Sequence, residues 1–412
     1  MALCPGPLTE PDLHRVADHP QDNYCHGSDG PIPVRRRQTG PWPPIQQAFH
    51  AACVQAGFGT TNDKNGLHPA GLGVTPSNNL DGVRVSTAIA HLNPVRHHLN
   101  LTVRGGVFVR KIVIEDGKAV GVEVESGGKL FHVEADRVVL STGAIRSPHL
   151  LMLSGIGPED HLQQFRIPVI RHLPGVGQNL MNHLSAQTTF KVKDGVSLAG
   201  HHRDAIHFSL HYTATGSSTV NDMVLRTSPV VDQRQERVPG VRTKYLIGDV
   251  PPERAARIHC TLGLPDGSGY VKLASADPSV QPSFNYRYLR HPNDIRRVRE
   301  GLRMAVKLLE SDAYKDVADH RIHPANDILN NDYALDLWIR QTVGTARHVS
   351  GTCKMGPDAD PMSVVDQYCR VKGVQGLWVA DASVMPRIPR SGGAHATVIM
   401  IGERVVDWVA AG

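Results

Sequence analysis

Imidazole is the side chain whose ordinary pKa lies closest to neutrality, so proton-transfer chemistry is sought first among the 23 histidines of this chain. Taken singly, a histidine is more often a satisfied core or surface residue than a catalyst, and its company decides the reading. Two stand in runs of small residues: His348 in Arg347-His348-Val349-Ser350-Gly351-Thr352-Cys353-Lys354-Met355-Gly356, and His395 in Gly392-Gly393-Ala394-His395-Ala396-Thr397. His207 and His211 are four apart, but no H-E-x-x-H accompanies them. The six cysteines form no C-x-x-C pair, so neither a metal centre nor a redox dithiol is expected. Widely spaced thiols in a long chain fit a reduced, cytoplasmic setting.

The elements that must position these residues follow from pattern. At 412 residues and 40% hydrophobic content the chain has room for two domains or one large interleaved one. Its 44 basic and 39 acidic residues are scattered, so a net charge of +5 carries no nucleic-acid footprint. No apolar run approaches membrane-spanning length, so stable membrane insertion is not expected. Apolar Val107 to Ile114, a turn at Asp116-Gly117, alternating Val120, Val122 and Val124, and a second turn at Gly127-Gly128 predict consecutive hairpins. Val138-Val139-Leu140 suits a strand buried on both faces, stopping at Ser141-Thr142-Gly143-Ala144, where small residues let another molecule approach. A short helix then ends at Ser154-Gly155. Ile295, Val298, Leu302, Ala305, Val306 and Leu309 form one helical stripe, with Asn293-Asp294 read as its cap. The last helix, from about Thr397 to Val409, is apolar at its start, which predicts a buried N-terminus able to favour nearby negative charge. The middle, from about Gln187 to Leu264, alternates without a motif, and His207 to Tyr212 fits a strand as well as a helix.

Three runs are informative together: Gly143 to Gly157, Arg347 to Gly356, and Gly376 to Pro386 with the His395 loop behind it. Gly82 to Ala88, Leu173 to Leu180 and Val271 to Pro278 add to them. In this combination the chain resembles the glucose-methanol-choline (GMC) oxidoreductases, most like their choline-dehydrogenase-like branch, over nearly its whole length.

The resemblance implies an α/β plus α+β fold: a Rossmann-like FAD-binding α/β domain interleaved with a substrate domain on a mostly antiparallel sheet. It assigns residues 1–157 to the N-terminal, FAD-binding region, 158–343 to substrate binding, and 344–412 to a return into the FAD-binding domain with the catalytic loops. It implies FAD as cofactor and a small-molecule alcohol as substrate, oxidised at its CH–OH group. The hydride passes to flavin N5, because no side chain can accept one, and the proton passes to a histidine. His348 is the expected base and His395 its partner, although sequence does not fix which does which. Val109, Gly143, Ala144, Asp381, Ala382, Ala396 and Thr397 are the expected cofactor contacts; Asp381 equally suits capping the turn that follows it.

The chain departs from the family at its start. The G-x-G-x-x-G turn, whose helix N-terminus binds the FAD pyrophosphate, has no counterpart in the sequence. The chain therefore reads as N-terminally truncated with an incomplete FAD-binding sheet, and is expected to bind FAD poorly; purification as a yellow protein with stoichiometric flavin would contradict that. Asn182 stands where the family usually has an acidic residue before His183, and Gly393 where an asparagine is common. Two rivals accompany the oxidoreductase reading: a hydroxynitrile lyase-like activity on the same scaffold, and an inactive truncated relative. The motifs specify neither the alcohol nor the electron acceptor.

Overall fold

The computed structural model describes residues 15–16, 27, 30–36, 42–80, 82–198, 207–230, 247–390 and 393–411. Its principal strands are β1 (Gly71–Val74), β2 (Phe108–Glu115), β3 (Lys118–Ser126), β4 (Lys129–Glu134), β5 (Val138–Leu140), β6 (Leu184–Val192), β7 (Phe208–Tyr212), β8 (Met223–Pro229), β9 (Ala255–Leu262), β10 (Ala318–His323), β11 (Gly344–Thr345) and β12 (Leu377–Val379). Its principal helices are α1 (Pro44–Gln55), α2 (Gly143–Leu153), α3 (Pro292–Leu309), α4 (Asp332–Thr342) and α5 (His395–Ala411).

The larger sheet is antiparallel, in the order β10-β6-β9-β8-β7-β1, with β11 pairing the start of β6. Period-two patterning gives it two unlike faces. Leu184, Ala186, Phe190, Leu210, Leu225, Ile258, Cys260 and Leu262 pack with α1, α3 and α4 into one core. Across the registered pairs Ser185↔Thr261, Gln187↔His259 and Arg226↔His259 the opposite face is polar. The segment read as motifless thus builds four of this sheet's strands, and of His207 to Tyr212, Phe208–Tyr212 is a strand.

Helix α3 lies on the apolar face as its stripe predicts, and its approach is close: a Cβ on Gly301 would meet Cys260 Sγ at 2.4 Å and Met223 Cε at 2.7 Å. The cap differs from expectation. The helix begins at Pro292, and the side chain of His291 accepts from Asn293 N (3.3 Å). Asp294 is committed elsewhere, accepting from Asp266 N (2.9 Å) and Gly267 N (3.0 Å) and pairing with Arg297 (2.7 Å). Fully buried Arg297 also pairs with Asp222 (2.8 Å) and Asp266 (2.9 Å), pinning the helix to the β7–β8 connection.

The second core surrounds a parallel pair, β12 beside β5. The hairpins form as predicted, β2-β3-β4, with turns at the positive-φ residues Asp116-Gly117 and Gly127-Gly128. Val138 and Leu140 are buried, but Val139 is 41% exposed, so β5 is not covered on both faces. Among the described residues β12 is its only strand neighbour, and Val139 lines an open groove instead. No described helix is long and apolar enough to cross a membrane.

Candidate active site

Backbone bonds bring the three motif runs together. Gly351 N donates to Ala382 O (3.0 Å), Cys353 N to Ser383 O (2.8 Å) and Met355 N to Val384 O (2.8 Å), while Thr352 Oγ1 donates to Ala144 O (2.6 Å). Asp381 closes the knot: one carboxylate oxygen accepts from Gly143 N (2.9 Å) and Ser147 Oγ (2.5 Å), the other from Ser383 N (2.7 Å). Asp381 therefore does cap the following turn, and it ties that turn to the start of α2. Ala144 and Asp381 are buried, Gly143 and Ala382 half-buried, and Val109 is half-buried in β2 opposite Val124.

His348 is held by a different set of contacts. Ala346 N donates to His183 O (3.0 Å), and Met181 and Ser350 exchange backbone bonds of 2.9 and 3.0 Å, zipping the His348 loop to the chain entering β6. Buried Asn182 fixes the loop from inside, accepting from His348 N (2.8 Å) and donating to Thr345 Oγ1 (2.6 Å). An acidic residue at position 182 has no such donor to offer unless protonated. The rings of His183 and His348 meet edge to face, with their Nδ1 atoms 2.9 Å apart.

The partners assign the tautomers. His183 Nε2 is 2.9 Å from Pro389 O, which can only accept, so Nε2 carries a proton. Burial and the neighbouring His348 lower the His183 pKa to about 4, so the ring is neutral near pH 7 and its Nδ1 is a bare lone pair. His348 Nδ1 must then donate, which leaves His348 Nε2 as an acceptor. That atom faces Gly393, where a Cβ would stand 3.4 Å away, and Gly393 has φ +149°. Burial, then Arg226 and Arg347, also lower the His348 pKa, keeping the acceptor form at neutral pH.

His395 opens α5, two residues beyond Gly393, but it makes no hydrogen bond or ring contact with His348. It is exposed, with a pKa lowered first by burial of the ring and then by Arg84. Ala396 and Thr397 are half-buried. The helix start is thus less buried than its apolar sequence predicts, because the helix borders a groove of 680 Å³. Val139, Ser141, Ala380, Val398 and Ile399 are among its walls, and His348 is not. His183 and Asn182 were not identified from sequence as site residues; Asn182 appeared only as a departure from the family pattern. No spacing rule joins His183 to a residue 165 positions away. Among the described residues Asp266, His291 and Asp294 have metal-ligand spacing, but Arg297 already occupies both carboxylates.

Family models for GMC oxidoreductases match residues 10–185 and 265–402. An oxygen-dependent choline dehydrogenase of Rhizobium rhizogenes is 35% identical over 402 residues, covering 95% of this chain and 72% of the relative. The chain belongs to the GMC oxidoreductase family. The mitochondrial choline dehydrogenase of Mus musculus is 33% identical over 403 residues, covering 94% of this chain and 66% of the relative. Pyridoxine 4-oxidase from Mesorbium loti superposes with a TM-score of 0.86 at 26% identity, over 98% of this chain and 76% of that one. GMC oxidoreductases and their structural neighbours are FAD-binding flavoproteins.

The residues of this GMC chain fit part of that cofactor. In open parallel sheets ligands sit beyond the carboxyl ends of the strands. Here those ends continue into Ser141 and Ala380, both lining the groove, with α5 from Val398 to Ala410 as its other wall. The walls are mainly aliphatic, with the hydroxyls of Thr87 and Ser141 and the His91–Glu403 pair; the carboxylate disfavours phosphates, and the apolar remainder suits a flat ring system and its ribose.

Proposed function

We propose that this chain is a FAD-dependent oxidoreductase acting on the CH–OH group of a small-molecule alcohol. FAD, when bound, supplies the hydride acceptor that no side chain can provide. Ser141, Ala380, Val398 and Ile399 of the groove wall hold it, and Ala396 and Thr397 just before them on α5 and Val109 of β2 contribute from outside the groove. Asp381, Gly143, Ala144 and Ala382 act by fixing the backbone there. His348 Nε2 takes the hydroxyl proton, and His395, at the start of α5, donates a hydrogen bond to the substrate oxygen.

The observation that carries this reading is the ordered pair His183–His348. The Pro389 carbonyl sets His183, His183 sets His348, and the outcome is a bare imidazole nitrogen aimed at the loop of His395. A lone pair fixed before substrate arrives needs no reorganisation to accept the proton.

Anaerobic mixing of the FAD-supplied protein with an alcohol panel should bleach the visible flavin absorbance. His348→Asn should slow bleaching about 100- to 10,000-fold, the range of general-base contributions, while FAD affinity stays as it was. If no alcohol bleaches the flavin while a cyanohydrin is cleaved, the chain is a lyase and the proposal is lost.

A further inference from the structure

The polar face of the antiparallel sheet has a chemical sign. Its side chains include Ser185 and Gln187 from β6, His211 from β7, Arg226 and Ser228 from β8, and Arg257, His259 and Thr261 from β9. None of these four strands contains an aspartate or glutamate. His183, one residue before β6 and in phase with Ser185, stands at the border of this face, so the face runs up to the His183–His348 pair.

Most of its groups are already satisfied. Arg257 donates to Ser228 Oγ (3.2 Å) and Gln187 Oε1 (3.5 Å), and His259 is held by Ser185 and Ser228. Arg226 is not: among the described residues no hydrogen bond or ion pair engages its guanidinium. Arg226 is solvent-accessible, yet desolvation is enough to lower its pKa. It lies within electrostatic reach of His183, His207, His259 and His348.

Arg226 is thus a guanidinium with no anionic partner among the described residues, on strands that carry no carboxylate of their own, and it is placed to receive one from a ligand. Building on the reading of His348 as base, we propose that Arg226 binds the carboxylate of a hydroxy acid whose hydroxyl is placed at His348. Guanidinium and carboxylate match as a planar, two-point pair, fixing substrate orientation as well as charge. The same face repels a quaternary ammonium such as choline, the substrate in the names of the dehydrogenase relatives. Membership of the family and choice of substrate are separate properties here, because motif loops set the first and the sheet face sets the second.

Two measurements test this on the full chain supplied with FAD. In the first, flavin reduction is compared for short hydroxy acids, their uncharged amides and choline. The expected kcat/KM ratio of acid over amide is about tenfold or more in the parent, near the worth of one charged hydrogen bond, and falls to about one in Arg226→Gln with partial recovery in Arg226→Lys. In the second, calorimetry follows binding of unreactive butyrate and of tetramethylammonium; butyrate should bind in the parent and about tenfold more weakly in Arg226→Gln. Choline outperforming the hydroxy acids, or an unchanged acid preference in Arg226→Gln, overturns the proposal. So does butyrate binding no better than tetramethylammonium, a comparison within the parent that needs no variant to fold. Arginine-dependent butyrate binding without flavin reduction by any alcohol would instead remove the oxidoreductase reading and leave the anion site standing.

Discussion

At the scale of single residues, the site depends on which nitrogen of His348 lacks a proton. That is decided outside the motif, by His183 and the carbonyl of Pro389. His183→Leu should remove the acceptor, let His348 reverse its tautomer, and lower kcat/KM about tenfold or more, the worth of one hydrogen bond to a partly charged group. His183→Gln, whose amide oxygen can accept from His348 Nδ1, should recover part of the loss, which a filled cavity alone would not do. The pH profile carries a second readout. The base works only when neutral, and its pKa is lowered from 6.5, so the acid limb of kcat/KM should lie below that value and activity should be full at neutrality. An acid limb at or above the ordinary histidine range would contradict the assignment. His348 was legible because a run of small residues surrounds it; His183 was not, because its role arises from a contact across 165 positions.

At the scale of elements, α3 shows where local pattern succeeds and where it stops. Its stripe is readable because burial repeats with the helical period. Its cap was misassigned because Asn293 and Asp294 are favourable N-cap residues by type, whereas Asp294 satisfies a nearby turn and Arg297. Arg297→Met should cost about 3–5 kcal/mol in unfolding free energy, since it leaves the buried carboxylates of Asp222 and Asp294 without their cation. Denaturant unfolding monitored by circular dichroism checks it, and a loss below about 1 kcal/mol would mean that the cluster is not closed as described. The exposed Val139 makes a related point. An apolar triplet predicts a strand, but whether both faces are covered depends on neighbours that the triplet does not encode.

At the scale of the molecule, several imidazoles are buried in neutral form, and this sets an acid limit on stability. Burial lowers the pKa of His149 and His183 to about 4 and of His211 to about 3. In the unfolded chain each returns toward 6.5, so between about 4 and 6.5 the unfolded state binds protons that the folded state does not. Their stability contribution is whole above the unfolded value and is lost as the pH falls through that window. The melting temperature should hold near neutrality and decline steadily on acidification, and a flat profile down to about pH 5 would show that these rings do not remain neutral.

Family membership, the paired hairpins, the α3 stripe and the His348 loop were all written in local runs, because turn chemistry, periodicity and motif order are properties of neighbours along the chain. The His183–His348 pair, the bracing by Asp381 and the exposed, unpartnered Arg226 on the polar sheet face came only with the tertiary structure. They depend on which distant strands pair and in which register, and a shift of one residue would turn Arg226 into the core and Leu225 onto the polar face.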